Sequence, residues 1–480
     1  MKEDFVAYDN LRVAPYEFEY IKDMKIENDI NNHATLKISG VIDDKMKDSY
    51  VLDTDEETKI QVYYQKDEES IPIFNGIITN IKIDVVEEVY VMTVEAKSFT
   101  YKLDIYKMKR DFQNINMTTH ELIGKVMQSY PDAVYDINIP NEPIKQFTLQ
   151  YNETDYEFLK RIVSRYHQGI ICDIENENIH FFLGTPDMSV TPKTKILNYT
   201  VYKDIQEYND VKNNDTEDIL ETDFITYKIR TQEILNTGEH FSFKGQQVYV
   251  KKSIYMVDEG KLENIYELSL KGGLRSKYLY NMNLIGISIK GNILEVQRDR
   301  VKAALEINPQ IDSGTAYWFP YATVAASPDG GGWYCMPEVG ESVRMNCPTK
   351  DESESFVVNA IETHESENGG GASEDRMSNP DNKSLQTAAG QEVKFTPNGA
   401  NISCSGGQAS VNLNKDGTVD IVGQKNVNIA CAQSLSIRAE KELTVSAQKS
   451  IDMLCEAGGN LVMSEGDEIL VSGTRTLNNG

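Results

Sequence analysis

Residues 411–453 read VNLNKDGT-VDIVGQKN-VNIACAQS-LSIRAEKE-LTVSAQKS-IDM, and the period of eight in this stretch decides the architecture. A bulky aliphatic opens each octad, at Val411, Val419, Val427, Leu435, Leu443 and Ile451. Two positions on stands a second apolar residue: Leu413, Ile421, Ile429, Ile437, Val445 and Met453. The fifth place is small in the later copies, at Cys431, Ala439, Ala447 and Cys455. Alternate residues of a strand share one face, so an octad supplies one short strand with three inward side chains and a polar corner. Asn428, Ser436, Thr444 and Asp452 fall on the outer face. The register slips by two at Gly458-Gly459, resumes at Leu461/Met463 and Ile469/Val471, and fades at Leu477. Looser copies precede it at Val393/Phe395 and Ile402/Cys404.

One octad is about a third of a triangular turn, so two arrangements close such a coil. A single chain could complete a turn in three octads. Alternatively three identical chains wind together, each placing one strand in every layer, with their apolar stripes meeting at a threefold axis and no lateral edge left free. The second arrangement is the reading adopted: an intertwined triple-stranded β-helix over 393–480. Stacked at about 4.8 Å per layer, eight or nine octads make a rod about 40 Å long.

Outward from the repeat, residues 364–390 are polar and rich in Gly, Ser and Asn, which marks a linker over 364–392. Five short strand patterns in 291–363, among them Trp318-Phe319-Pro320 and Gly340-Glu341-Ser342-Val343-Arg344-Met345, fit a small barrel of the OB type. Residues 1–100 and 191–290 alternate at period two, in stretches such as Leu36-Lys37-Ile38 and Val248-Tyr249-Val250, and read as two hub β-barrels. Between them, 101–190 is an α+β unit with two helices. The first opens at Thr118 with Glu121 three residues on, and Pro131 stops it. The second has the same signature at Thr154 and Glu157, and Gly169 is the expected left-handed cap at its end. The whole is a mainly β, multidomain chain.

These stretches resemble the central spike proteins of contractile injection systems: the VgrG proteins of type VI secretion, the late-control protein D and the baseplate hub–spike proteins of contractile-tailed phages. Gln150-Tyr151-Asn152-Glu153-Thr154-Asp155-Tyr156-Glu157-Phe158-Leu159-Lys160-Arg161 is similar to the family's Q-Y-x-E-[ST]-D-x-x-F-[LI]-x-R segment. Asp111-Phe112-Gln113, followed by Thr118-Thr119-His120-Glu121-Leu122-Ile123, is similar to its upstream helix. Gly332-Trp333-Tyr334-Cys335-Met336-Pro337-Glu338-Val339-Gly340-Glu341-Ser342-Val343 resembles the G-W-x-x-x-P-x-x-G-x-x-V of its OB domain. Many needles of the family repeat V-x-G, whereas here Asn414, Val422, Ala430, Arg438 and Ser446 follow the second core position. The departures lean towards the phage-tail or tailocin branch.

The resemblance implies a homotrimeric structural hub–spike that joins tail tube to baseplate and punctures the target envelope. Its implied partners are a tail-tube or tube-initiator protein, baseplate wedge proteins, and a PAAR-like tip protein docking at Leu477, Asn478, Asn479 and Gly480. The expected trimer core is the stripe already named from Val411 to Met453, continued by Leu461, Met463, Ile469 and Val471. The competing readings are a single-chain β-helical polysaccharide-degrading enzyme and a trimeric receptor-binding fibre.

Composition narrows the choice. In 480 residues, 75 acids face 48 bases, a net charge of −27 that repels phosphate backbones and anionic lipid, so no nucleic-acid partner is expected. MKEDFVAYDN lacks a basic and an apolar leader region, which points to synthesis in a bacterial cytoplasm before assembly into a virion or extracellular tail-like particle. The six cysteines form no CxxC pair and the six histidines no HExxH, so neither a disulfide framework nor a metal site is read. No G-x-S-x-G elbow occurs, and the gap after the OB region is too short for an enzyme domain. No catalytic residue, cofactor or metal is therefore expected.

Overall fold

The computed structural model describes residues 10–66, 69–213, 219–258, 261–324, 334–358, 379–387, 389–454, 460–464 and 468–472. The chain divides into two compact units, Met1–Glu362 and Thr363–Gly480. It is mainly β in both.

In the first unit, the two strand-rich regions expected as separate barrels hydrogen-bond into one 12-stranded sheet. The joint is Tyr20–Asp29 against Gln246–Asp258, antiparallel, with Met24 opposite Val257 and Asp29 opposite Lys252. One core spans it: Met24, Ile26, Leu36, Ile38, Phe74 and Val94 pack in the same cluster as Phe241, Val248, Tyr255 and Leu268. Two separate meanders would each leave a row of bare N–H and C=O groups at this place, and pairing the edges removes both rows. Leu11–Ala14 and Tyr199–Lys203 are the ends of the strand path.

The α+β region holds the two expected helices, Thr119–Met127 and Asp155–Ser164, each with its capping box formed at Thr118/Glu121 and Thr154/Glu157. Leu122, Ile123, Val126, Phe158, Leu159 and Ile162 carry their apolar faces into a second core with Phe181 and Leu183 from a three-stranded sheet. Gly169 has a different task from the one expected. The left-handed residue after the second helix is His167, at φ 54°. At Gly169 a Cβ would lie 2.5 Å from the Ile30 side chain, so glycine is there for close approach.

The region expected to be an OB domain has five strands in the order Trp318–Pro320, Arg300–Leu305, Ile287–Gln297, Ser342–Cys347 and Phe356–Val358. A parallel bridge between Tyr321 and Val357 brings the two ends together. Its first strand starts at Ile287, so the expected boundary at 291 cuts through it. The core of this barrel takes in Phe147 and Leu149 from the α+β region.

The second unit departs from a coil. Lys383–Gln386, Glu392–Thr396, Gly399–Cys404, Ala409–Asn414 and Val419–Gly423 form an antiparallel meander, with Lys383–Gln386 drawn from the stretch expected as linker. Tight turns are the physical reason. Gly406, Gly407 and Gly417 all have positive φ, and the Asp416 carboxylate accepts from the Thr418 N–H at 3.0 Å, so the chain reverses where a coil would advance. Residues 424–449 hold no strand, and a second antiparallel meander follows in Ser450–Leu454, Asn460–Ser464 and Glu468–Ser472. The expected β-helical winding is therefore not what the single chain forms over 383–423 and 450–472.

Candidate assembly site

The octad stripe is where the sequence places function, and from Val411 to Val445 its large aliphatics are exposed. Within 424–449 the large aliphatics range from 52% exposed at Val427 to 66% at Ile437, with Ile429, Leu435, Leu443 and Val445 between them. Single exposed aliphatics need no explanation, but a periodic row on backbone outside any strand does. In the meanders the named residues pair with one another in the backbone register. Val411 stands opposite Ile421 and Leu413 opposite Val419. Further on, Ile451 stands opposite Met463, Met453 opposite Leu461, Leu461 opposite Val471, and Met463 opposite Ile469. The structure thus brings the named residues together within each meander. Leu477, Asn478, Asn479 and Gly480 lie outside the described residues.

The segment from Gln150 to Arg161 is a junction inside the first unit. Arg161 is 3% exposed, and its Nε and Nη2 donate to the two Glu153 carboxylate oxygens at 2.8 and 2.9 Å. Nη1 donates to Glu352 at 2.6 Å, and Nη2 also to the Leu149 carbonyl at 2.9 Å. Burial works against the charge on Arg161, but Glu352 and Glu153 outweigh it and hold the guanidinium's pKa above its ordinary value. Glu352 belongs to the five-stranded barrel, so this contact ties barrel to helix. Gln150 donates to Asp155 at 2.8 Å; Asp155 also pairs with Arg110 and accepts from Tyr130 at 3.0 Å. Through Arg161 and Glu352 the motif ties helix to barrel, and through Asp155 it joins the elements of the α+β region.

Of the G-W-x-x-x-P-x-x-G-x-x-V stretch, Gly332 and Trp333 lie outside the described residues. Gly340 sits at φ 92° and donates to the Ile293 carbonyl at 2.8 Å, and Val343 is buried in the barrel core. This is turn and packing chemistry.

One constellation was invisible in sequence because its members are scattered. Cys172 Sγ lies 3.2 Å from Thr100 Oγ1, Thr100 Oγ1 2.9 Å from His33 Nδ1, and His33 Nε2 3.1 Å from Asp104 Oδ2. It has the order of a thiol, a relay and an acid. Burial, however, pushes the Cys172 pKa up despite hydrogen bonds from Thr100 and Ser98, so the thiolate that nucleophilic chemistry needs is suppressed. The network joins strand to helix turn. Among the described residues no group of three or more His, Cys, Asp or Glu side chains is placed to hold a metal, and no helix is long and apolar enough to cross a membrane.

Comparison with known proteins agrees with this architecture. Residues 46–200 match the family described as phage tail baseplate hub (GPD). No curated protein matches the chain in sequence. A chain of the lidded Francisella PdpA–VgrG complex aligns with TM-score 0.52 at 9% identity, covering 84% of this chain and 76% of that one. In the lidless PdpA–VgrG complex the values are 0.51, 9%, 84% and 93%. The E. coli c3393 protein, described as a component of the type VI secretion system similar to the T4 tail proteins gp27 and gp5, aligns at 0.49 and 10%, over 72% and 98%. The two PdpA–VgrG alignments show a shared fold over most of the chain. The resemblance to the hub–spike proteins of contractile injection systems stands on the family match over residues 46–200 and on this fold.

Proposed function

We propose that three copies of this chain form the hub–spike of a contractile phage tail, tailocin or type VI-like injection system. The first unit docks to the end of the tail tube and recruits baseplate wedge proteins. The five-stranded barrels collar the axis as OB domains, a reading supported by their closed strand order. The second unit supplies the shaft that punctures the target envelope on sheath contraction, and the C-terminal end from Leu477 to Gly480 receives a PAAR-like tip protein. The assembly acts mechanically, without a catalytic residue, cofactor or metal, within a virion or tail-like particle.

The observation that carries this reading is the octad row of exposed aliphatics on the backbone of 424–449, outside any strand. Such a row costs roughly 1.5–3 kcal/mol per large side chain left in water rather than buried. Its backbone N–H and C=O groups need partners as well once they leave solvent. Two more copies of the same segment supply both. A single-chain β-helical enzyme does not explain the row, because 383–423 folds back as a meander instead of coiling.

Light scattering on the purified full chain tests the proposal, with a particle of three chains expected. Ile437→Asp places three carboxylates at the axis and is expected to yield a monomer whose first unit keeps its wild-type circular dichroism. A trimeric Ile437→Asp variant refutes the inward placement of Ile437, and a monomeric wild-type chain refutes the spike reading.

A further inference from the structure

The five-stranded barrel carries cations and aromatics together on one side. In its second and third strands, Arg300–Leu305 and Trp318–Pro320, Val301 stands opposite Phe319, and both are buried in the core. Side chains alternate along a strand, so Arg300 and Lys302, opposite Pro320 and Trp318, lie on the other face. The turn that joins Ile287–Gln297 to the second strand has only two residues, Arg298 and Asp299. Arg298 holds φ 54°, a left-handed position that such turns usually give to Gly or Asn. An arginine there, at a steric cost, points to a use for its side chain.

Tyr334 stands beside this turn. Its hydroxyl donates to the Arg298 carbonyl at 2.9 Å, yet the residue is 75% exposed. The phenol is thus held at its tip while most of it meets water. Tyr321, whose N–H donates to the Asp299 carbonyl at 2.9 Å, flanks the turn from the end of the third strand. Trp318 is held too, with the Lys302 ammonium 4.6 Å from its ring centroid. That lysine is otherwise engaged, 3.1 Å from Glu295 and donating to the Ser313 carbonyl at 2.8 Å. Arg298 and Arg300 differ from it. Both are exposed, and among the described residues neither guanidinium has an ion pair or a hydrogen bond. With Asp299 between them, the turn keeps one positive charge in excess on a chain of net −27.

A fixed, exposed aromatic ring beside two free guanidinia selects a definite ligand. A sugar presents an apolar C–H face that stacks on an aromatic ring, and a carboxylate accepts paired bonds from a guanidinium. Single-stranded nucleic acid also offers stacking and anions, but its many phosphates meet the acid excess of the chain. A glycan with one acidic sugar among neutral ones avoids that repulsion, because a single charge feels mainly what lies within about 10 Å. Barrels of the OB type take oligosaccharides on this same face, the second and third strands with the first turn. We propose that the barrel binds a glycan through an acidic sugar, whose ring stacks on Tyr334 and whose carboxylate is taken by Arg298 and Arg300. This goes beyond a mechanical role and depends neither on the number of copies in the assembly nor on the shaft.

Saturation-transfer NMR on the full chain tests this with two disaccharides that differ by one lactyl group and its carboxylate. They are N-acetylglucosaminyl-N-acetylmuramic acid and N,N′-diacetylchitobiose. The acidic sugar is expected to bind about tenfold more tightly than the neutral one. Tyr334→Ala should lose both sugars, and the double variant Arg298→Gln/Arg300→Gln should bind the two alike. Tyr334→Phe keeps the ring but not its bond to the Arg298 carbonyl, and should bind both more weakly with the preference intact. Lys290→Gln, exposed on the first strand away from the turn, should match wild type. Wild-type chain that binds neither sugar, or both equally, overturns the inference. So does full binding by Tyr334→Ala, or an unchanged preference in the double variant. Displacement of the acidic sugar by an oligothymidylate also overturns it and gives the face to nucleic acid instead.

Discussion

Replacing Arg161 with methionine keeps the apolar stem and removes the charge from the middle of the junction between helix and barrel. The guanidinium makes four hydrogen bonds, two to Glu153, one to Glu352 and one to the Leu149 carbonyl. Both carboxylates are buried, so the variant leaves them without their main counter-charge. Removing one partner of a buried ion pair costs about 3–5 kcal/mol. Two remaining donors soften the loss: Leu149 N–H reaches Glu352 at 3.2 Å and Asn281 Nδ2 reaches Glu153 at 3.2 Å. Arg165 Nη2, 3.6 Å from Glu352, adds a weaker ion pair. About 3–4 kcal/mol is therefore expected, a large part of a typical 5–15 kcal/mol domain stability. Urea unfolding at a fixed protein concentration, followed by tryptophan fluorescence, reads the effect through Trp318 on the strand Trp318–Pro320. Because Glu352 is the barrel's contribution, the barrel is expected to unfold first in Arg161→Met, splitting one transition into two. Adding Glu153→Gln and Glu352→Gln removes the stranded charges and should recover more than half of the loss. A destabilisation below about 1 kcal/mol would refute the assignment of this network as the tie between helix and barrel.

Two further outcomes follow from the same structure. Burial raises the pKa values of Asp29, Asp111, Glu175 and Glu239, so the folded chain holds protons there that the unfolded chain has released. Their contribution grows as pH falls towards their unfolded values and is lost as pH rises through their folded ones, so acidifying from neutral pH towards their unfolded values should raise the melting temperature. Asp104 works oppositely: burial pushes it up, but His33 and Thr154 together hold it below the ordinary value, so its contribution disappears in stronger acid. A melting temperature that only falls from pH 7.5 downwards would contradict the first assignment. Thr154→Ala removes a cap on the Glu157 N–H and a 2.5 Å bond to Asp104, and should cost about 1–2 kcal/mol in urea unfolding. Thr118→Ala, whose hydroxyl only caps Glu121 N–H, should cost less; equal losses would mean that the Asp104 bond contributes nothing.

The amino-acid sequence by itself determined whatever lies within a few residues of its cause. The capping boxes at Thr118 and Thr154 formed where their spacing placed them, because a cap bridges three residues and needs no distant partner. The octad stripe was legible for the same reason, since alternation along a strand sets which side chains share a face. Tertiary structure decided where those faces and edges go. Asn28 and Ser253 meet in the joint between the two strand-rich regions, and Arg161 meets Glu352 from 191 residues away. Neither pairing has a local signature, because edge closure and charge burial are settled by what else must be covered. The same holds for 383–423, where the period of eight fits both a coil and a meander. The left-handed turns at Gly406, Gly407 and Gly417 choose the meander, because an antiparallel partner in the same chain satisfies the backbone at once.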